Sequence, residues 1–244
     1  MHVVSIVQAR MNSTRLPGKV LKPLQGAPML ARQIERLSRS ELTDRIVVAT
    51  TDRSEDDAIV DLLRTMSGVY SYRGPEDDVL RRYVEAANEY DADVIVRVTA
   101  DCPLIEPTVI DTAIKSYLEH SSSITYVTNG IVRTYPRGLD VEVFPLQALE
   151  TAHSEAKSSA DREHVTPYIW RQPERFPRYD LVDSEDNSHL RWTVDTNEDF
   201  ELIDKIYEAL FPAKPAFNYQ DALQLVRQHP DLSMINQHIH QKIT

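Results

Sequence analysis

Glycine and cysteine are scarce in this chain of 244 residues, which has 6 of the first and one of the second. Folds organised on glycine-rich phosphate loops are therefore disfavoured, and neither GxxxxGK[ST] nor GxGxxG occurs. Cys102 alone cannot form an intrachain disulfide, and such cysteine usage does not suggest export. No apolar stretch approaches the ~18 residues that a membrane span requires. The opening run "HVVSIV" is too short for the apolar region of a leader, so a cytoplasmic protein without a membrane partner is expected. His153, His164 and His189 lack zinc-ligand spacing, and no GxSxG elbow appears. Positive charge is also in short supply: 27 Lys and Arg against 38 Asp and Glu give a net charge of −11. That balance argues against nucleic acid as a partner.

The first 34 residues reverse the balance. They hold Arg10, Arg15, Lys19, Lys22 and Arg32 and no acid, so that this segment is +5 and the remainder −16. A cation cluster on an acidic body suits a small polyanion better than a polymer.

Strand-like and helix-like runs alternate. "HVVSIV" (2–7), "RIVVATT" (45–51), "VYSYR" (69–73) and "DVIVRVT" (93–99) read as strands. Helices are expected over 28–40, over 54–66 with Ser54 as cap, over 75–90 starting at proline, and over 106–120. Such alternation implies a parallel sheet with helices on both faces. Ligands then gather beyond the carboxyl ends of the strands, a rule that groups the cationic loop, Arg73 and "TADCP" (99–103). Beyond residue 120 strands are expected at 123–129, 139–144, 178–183 and 190–194, and helix near 146–172. A mostly helical tail is expected from about Glu198 to Gln241, broken near "FPAKPAF". No linker composition marks a boundary, so one domain, 1–244, is expected.

Candidate chemistry falls in several stretches. In "RLPGK" the proline and glycine can fix a turn that aims Lys19 inward, with Arg15 as a planar fork for phosphate; the alternative is an exposed basic loop capping the sheet. Asp101 follows a strand directly and is placed either to hold Mg²⁺ against a triphosphate or to cap the turn before Pro103. Asp195, at the end of "RWTVD", is either a second metal ligand or a strand-to-helix turn residue, with Thr196 or Asn197 capping the helix. Asp140 and Glu142 would share one face of a strand, and Glu163 adjoins His164.

Together, "IVQARMNSTRLPGKVL" (6–21), "RGPEDDVLRRY" (73–83), "RVTADCPLI" (97–105), "PRGLDVEVF" (136–144), "REHVTPY" (162–168) and "VDTNEDF" (194–200) resemble, in order, the cytidylyltransferases that make CMP-activated acidic sugars. The likeness is nearest to the spore-coat polysaccharide branch. It implies a nucleotide-diphospho-sugar transferase fold of the glycosyltransferase-A type, a three-layer α/β/α sandwich with a mixed, mostly parallel sheet. It further implies a homodimer with an arm near 120–145. Carried over residue by residue, the first loop would hold the triphosphate of CTP through Arg10, Ser13, Arg15 and Lys19. Backbone groups of Gln8 and Ala9, with Arg73 and Asp77, would face base and ribose, and Asp101 and Asp195 would bind Mg²⁺. Arg10, Lys19 and Asp101 would be the catalytic residues.

Arg137, Gly138, Asp140, Glu142, Arg162, Glu163 and His164 would line the acceptor pocket, with Arg137 or Arg162 gripping a sugar carboxylate. Gln8 stands where the sialate and Kdo enzymes usually have proline. The implied reaction is CMP transfer to an acidic or deoxy sugar for surface polysaccharide assembly. The alternatives are a sugar-1-phosphate nucleotidylyltransferase and a non-catalytic nucleotide-binding subunit.

Overall fold

The structure is a computed structural model that describes residues 1–240. The β-branched run at the start forms β1 (Val3–Gln8), and a small hairpin of β2 (Pro23–Leu24) and β3 (Ala27–Pro28) leads into α1 (Met29–Leu37). There follow β4 (Arg45–Thr51), α2 (Asp57–Arg64), β5 (Val69–Gly74), α3 (Val79–Glu89), β6 (Val94–Thr99) and α4 (Pro107–His120). The next part contains β7 (Tyr126–Thr128), β8 (Glu142–Pro145), α5 (Leu146–Glu155), α6 (Ser159–His164), α7 (Pro167–Trp170) and β9 (Arg178–Asp180). The tail carries α8 (Asn197–Leu210), α9 (Tyr219–Gln228) and α10 (Pro230–Met234); Gln241, the last residue of the expected helical tail, lies outside the described residues.

Seven strands form one sheet in the order β5-β4-β1-β6-β8-β7-β9. The pairs on the β5 side are parallel, whereas β8 runs antiparallel to both β6 and β7. Side chains alternate along β1: Val3 and Val7 join one apolar core, Val4 and Ile6 the other. Helices α1, α2, α4, α8 and α9 cover the first face, while α3 and α5 cover the second. The result is the expected three-layer sandwich with a mixed, mostly parallel sheet.

Several boundaries differ from expectation, each for a local reason. Helix α3 begins at Val79 rather than at Pro75, because the Asp78 carboxylate accepts the Arg81 N–H at 3.0 Å and caps it there. Ser54 is no cap; it opens a single 3₁₀ turn ahead of α2 and makes no side-chain capping bond. The "LRWTV" run is not a strand, since only one isolated bridge, Arg137 to Arg191, ties it to a neighbour. Asp140 lies outside β8, so it and Glu142 do not share a strand face. Both ends of the segment expected to form an arm, β7 and β8, belong to this chain's own sheet, and 129–141 loops over the strand ends between them.

Candidate nucleotide and acceptor site

The first loop owes its shape to a buried carboxylate. Asp56 is 2% exposed and accepts the Met11 N–H at 2.7 Å through one oxygen, while the other takes the Thr51 N–H and hydroxyl. Gly18 adopts φ 70°, returns its own N–H to the Met11 carbonyl at 2.9 Å, and turns the chain into a 3₁₀ turn at Lys19–Leu21. That turn drives Lys19 inward. Its ammonium donates to the Val194 carbonyl at 2.6 Å and to Asp195 Oδ1 at 3.0 Å, and lies 3.7 Å from Asp101 Oδ2.

Asp195 is brought there from the far end of the sequence. The Asp101 carbonyl accepts the Val194 N–H at 2.8 Å, which fixes the 193–195 segment beside the end of β6. Thr196 caps α8 in a capping box with Asp199, whose Oδ2 also accepts the Asp195 N–H at 2.9 Å. Asp199 is fully buried and paired with Arg191, and Asn236 Nδ2 donates to both the Asp199 carboxylate and the Arg191 carbonyl at 2.9 Å. Asp195 Oδ2 therefore meets Arg15 at 2.9 Å and Arg191 at 3.0 Å, while its Oδ1 meets Lys19. Burial alone would raise the Asp195 carboxyl, but Lys19, Arg15 and Arg191 outweigh it and hold the group below its ordinary range.

Two adjoining cavities open at the strand ends. The smaller, of about 220 Å³, is lined by Gln8, Ala9, Arg10, Ser13, Arg15 and Lys19 from the first loop, with Asp101 and Asp195 opposite. The larger, of about 450 Å³, is lined by Arg97, Arg133, Arg137, Asp140, Glu142 and His164 and includes the same two aspartates. The expected loop residues thus meet the expected aspartates, separated from Asp195 by about 180 positions. Asp101 does not cap a turn: its Oδ1 accepts the Thr99 hydroxyl at 2.5 Å, and its Oδ2 faces Lys19. Ala9 donates its N–H to Ala49, and the Gln8 carbonyl accepts from Ala100, so those backbone groups serve the sheet.

Five expected residues line neither cavity; one of them, Gly138, sits between the cavity residues Arg137 and Asp140. Arg73 is bound to Asp57 at 2.5 Å and to the carbonyls of Thr51 and Arg53, and exposed Asp77 lines neither cavity. Arg162 pairs with Asp78 at 2.7 Å and with the His153 carbonyl at 3.0 Å, outside both cavities, and Glu163 is exposed. His164 and Thr166 do reach the larger cavity, flanking Val165 at φ 73°, a left-handed value that a β-branched residue rarely takes.

Charge in the larger cavity is largely internally balanced. Arg97 is bound to Glu142 at 2.6 Å, and burial is outweighed by that carboxylate in setting its raised pKa. The other Glu142 oxygen accepts the hydroxyls of Tyr126 at 2.6 Å and Thr166 at 2.9 Å. Arg133 is bound to Asp140, which also accepts the Gly138 N–H at 2.8 Å. The Arg137 guanidinium has no hydrogen-bond or ion-pair partner among the described residues, and burial, with Arg133 nearby, pushes its pKa down. Sequence patterning did not single out Arg97, Arg133, Arg191, Asp56 or Asp199; a charge inside the apolar run "VIVRV" was the one available signal, for Arg97.

Among the described residues no group of three or more His, Cys, Asp and Glu is arranged to hold an ion. Asp101 and Asp195, converging on one cavity, instead fit an ion of the magnesium type that takes its remaining ligands from phosphate oxygens and water.

Residues 4–238 match the family model described as Cytidylyltransferase. The spore coat polysaccharide biosynthesis protein SpsF of Bacillus subtilis is 32% identical over 94% of this chain and 95% of its own. The 3-deoxy-manno-octulosonate cytidylyltransferase of Geobacter sulfurreducens is 32% identical over 77% of this chain and 69% of its own. Among solved structures, a cytidylyltransferase from Leptospira borgpetersenii serovar Hardjo-bovis superposes with a TM-score of 0.92 at 34% identity, covering 100% of this chain and 99% of that one.

Proposed function

From its membership of the cytidylyltransferase family of nucleotidyltransferases, to which this chain belongs, we propose that it transfers CMP from CTP to a hydroxyl of an acidic or deoxy sugar. The product would serve surface polysaccharide or glycoconjugate assembly, a reading supported by the likeness to the spore-coat protein. The observation that carries the acceptor assignment is Arg137, the cavity arginine whose guanidinium has no hydrogen-bond or ion-pair partner among the described residues. A guanidinium with its donors open suits one carboxylate, and its planar fork can bind both oxygens. A sugar phosphate would bring more negative charge than this cavity balances.

In this reading Arg10, Ser13, Arg15 and Lys19 grip the triphosphate in the smaller cavity, and the acceptor fills the larger one. The acceptor hydroxyl releases its proton to solvent as its oxygen attacks the α-phosphorus, the bond from that phosphorus to the bridging oxygen breaks, and pyrophosphate departs with the bridging oxygen. Lys19 and Arg15 offset charge that grows on the leaving group, and their fixed placement supplies most of the protein's contribution. Asp101 and Asp195 would hold a divalent cation of the magnesium type, which supplies charge neutralisation at the α-phosphate and acidifies the attacking hydroxyl. Arg73, Asp77, Arg162 and Glu163 have no part in binding. A homodimer belongs to the same proposal, supported by the exposed Ile131 and Val132 on the loop over the site. A cytoplasmic location belongs to it too; no described helix is long and apolar enough to cross a membrane.

The test is pyrophosphate release with each of the four NTPs, offered with a panel of acid sugars and sugar 1-phosphates. Release with CTP and an acid sugar is expected. Turnover of UTP or GTP with a sugar phosphate would assign the other transferase chemistry, and silence across the panel would leave only nucleotide binding.

A further inference from the structure

The two cavities share Gln8, Arg15, Thr99, Asp101 and Asp195. If nucleotide and acceptor occupy one cavity each, bond making and breaking happen where these five residues meet. Four are already engaged there: Arg15 with Asp195, the Thr99 hydroxyl with Asp101, and both aspartates with Lys19. Gln8 differs. Its Oε1 accepts from Arg97 Nη2 at 3.1 Å, and its Nε2 has no partner among the described residues and is not buried.

The orientation of that amide follows from chemistry. A guanidinium has donors only, so the group facing Arg97 must be the carbonyl oxygen, and the NH₂ must point away. Arg97 is itself fixed by Glu142 at 2.6 Å, which is braced by Tyr126 and Thr166. A chain of charge-assisted bonds thus aims two neutral N–H donors at the junction of the cavities.

We infer that the Gln8 side-chain amide is a further catalytic residue, donating to a non-bridging oxygen of the α-phosphoryl group as the acceptor attacks. Arg97 and Glu142 are its positioning residues. The inference rests on the reading above that CMP is transferred from CTP. A neutral donor suits this place, because it stabilises developing charge without drawing the acceptor's carboxylate away from Arg137. Glu142 on this account serves as a brace, with Arg97 on one oxygen and Tyr126 and Thr166 on the other.

The experiment compares wild type with Gln8→Ala, Gln8→Glu and Arg97→Lys by steady-state kinetics, calorimetric CTP binding and thermal melting. Gln8→Ala is expected to lower kcat about 10²-fold, as loss of one preorganised donor does, with CTP affinity and acceptor KM within about threefold of wild type. Gln8→Glu is isosteric and replaces the donor by an anion, so it is expected to lose at least as much and to melt no earlier than Gln8→Ala. Arg97→Lys keeps a charge beside Glu142 but not the fork that reaches Gln8, and a fall in kcat at unchanged CTP affinity is expected. Should Gln8→Ala fail to fold, Gln8→Glu decides. A kcat within threefold of wild type in the folded variant overturns the inference, as does a loss of CTP affinity equal to the loss of kcat. Absence of CTP turnover by wild type overturns the function reading and this role with it, whereas an active wild type with an indifferent Gln8 removes the donor role alone.

Discussion

Lys19 and Asp195, 176 positions apart in the chain, are joined by a 3.0 Å contact at the point where the two cavities meet. The bond is held from both ends, by the glycine turn before Lys19 and by the capping box after Asp195. Replacing the lysine by alanine removes charge where the leaving group forms. Lys19→Ala is expected to lower kcat by about 10²-fold or more while the chain stays folded, because Arg15 and Arg191 still neutralise Asp195. Rates measured beside thermal melts check this; a change confined to melting makes the loop structural.

Asp101→Asn keeps the Thr99 contact and the backbone tie to Val194, so the fold is expected to survive. Turnover that depends on added divalent metal is expected to disappear. Titration of rate against metal concentration, with circular dichroism as the control, is the measurement, and a near-normal rate would remove Asp101 from the reacting centre.

Arg137 and Arg162 stand as a matched pair of controls. Arg137→Ala is expected to raise the acceptor KM roughly tenfold to a hundredfold, the range for a lost hydrogen bond to a charged group, and to leave CTP binding alone. Arg162→Ala is expected to leave the acceptor KM unchanged and to lower stability by about 1 kcal/mol through its lost contacts with Asp78 and His153. The reverse pattern would move the carboxylate grip to Arg162.

Gly138 adopts φ 101°, and a Cβ there would stand 2.5 Å from the Trp192 carbonyl carbon. Backbone cannot yield as a flexible side chain can. Gly138→Ala is expected to lower stability by more than ~1 kcal/mol and to raise the acceptor KM, because Arg137 precedes the displaced residue and Asp140 accepts its N–H. Urea unfolding and acceptor kinetics on one preparation test both halves.

Acid should weaken the tie that holds Asp195. Burial would raise the Asp199 carboxyl, but bonds from Arg191 and Asn236 and from the Asp195 backbone hold it below its ordinary value. A carboxyl depressed in the folded state contributes fully above its unfolded pKa of ~3.9, and that contribution fades as pH falls through the folded value. Asp199→Asn is expected to cost about 1.5–3 kcal/mol at neutral pH by removing the charge behind the Asp199 bonds to Arg191, with the gap to wild type narrowing below about pH 4. Unfolding at pH 7 and pH 3.5 measures it; a gap independent of pH would mean that the Asp199 charge is not what stabilises the site.

Local pattern was enough for the alternation of β-branched and helical runs, the turn at "PGK" and the carboxylate at the end of β6, because each depends on neighbours a few residues away. The sequence therefore determined the layered sandwich and the likeness to cytidylyltransferases, while the inward course of Lys19, one of two readings of its loop, was decided by the fold. The sequence left Arg137 and Arg162 equivalent, since each is an arginine in a motif and nothing nearby tells which one meets a cavity. Only the folded chain separated them, by pairing Arg162 with the Asp78 carboxylate and turning Arg137 to the larger cavity. Arg73 was misplaced for the same reason: a strand-end position fixes its height on the sheet, while its partner Asp57 comes from another element. The Arg97 contacts that lead us to propose Glu142 as a brace and Gln8 as a donor span up to 89 positions, beyond the reach of local pattern. Periodicity records which face a residue takes, and only tertiary packing sets which charges along that face cancel.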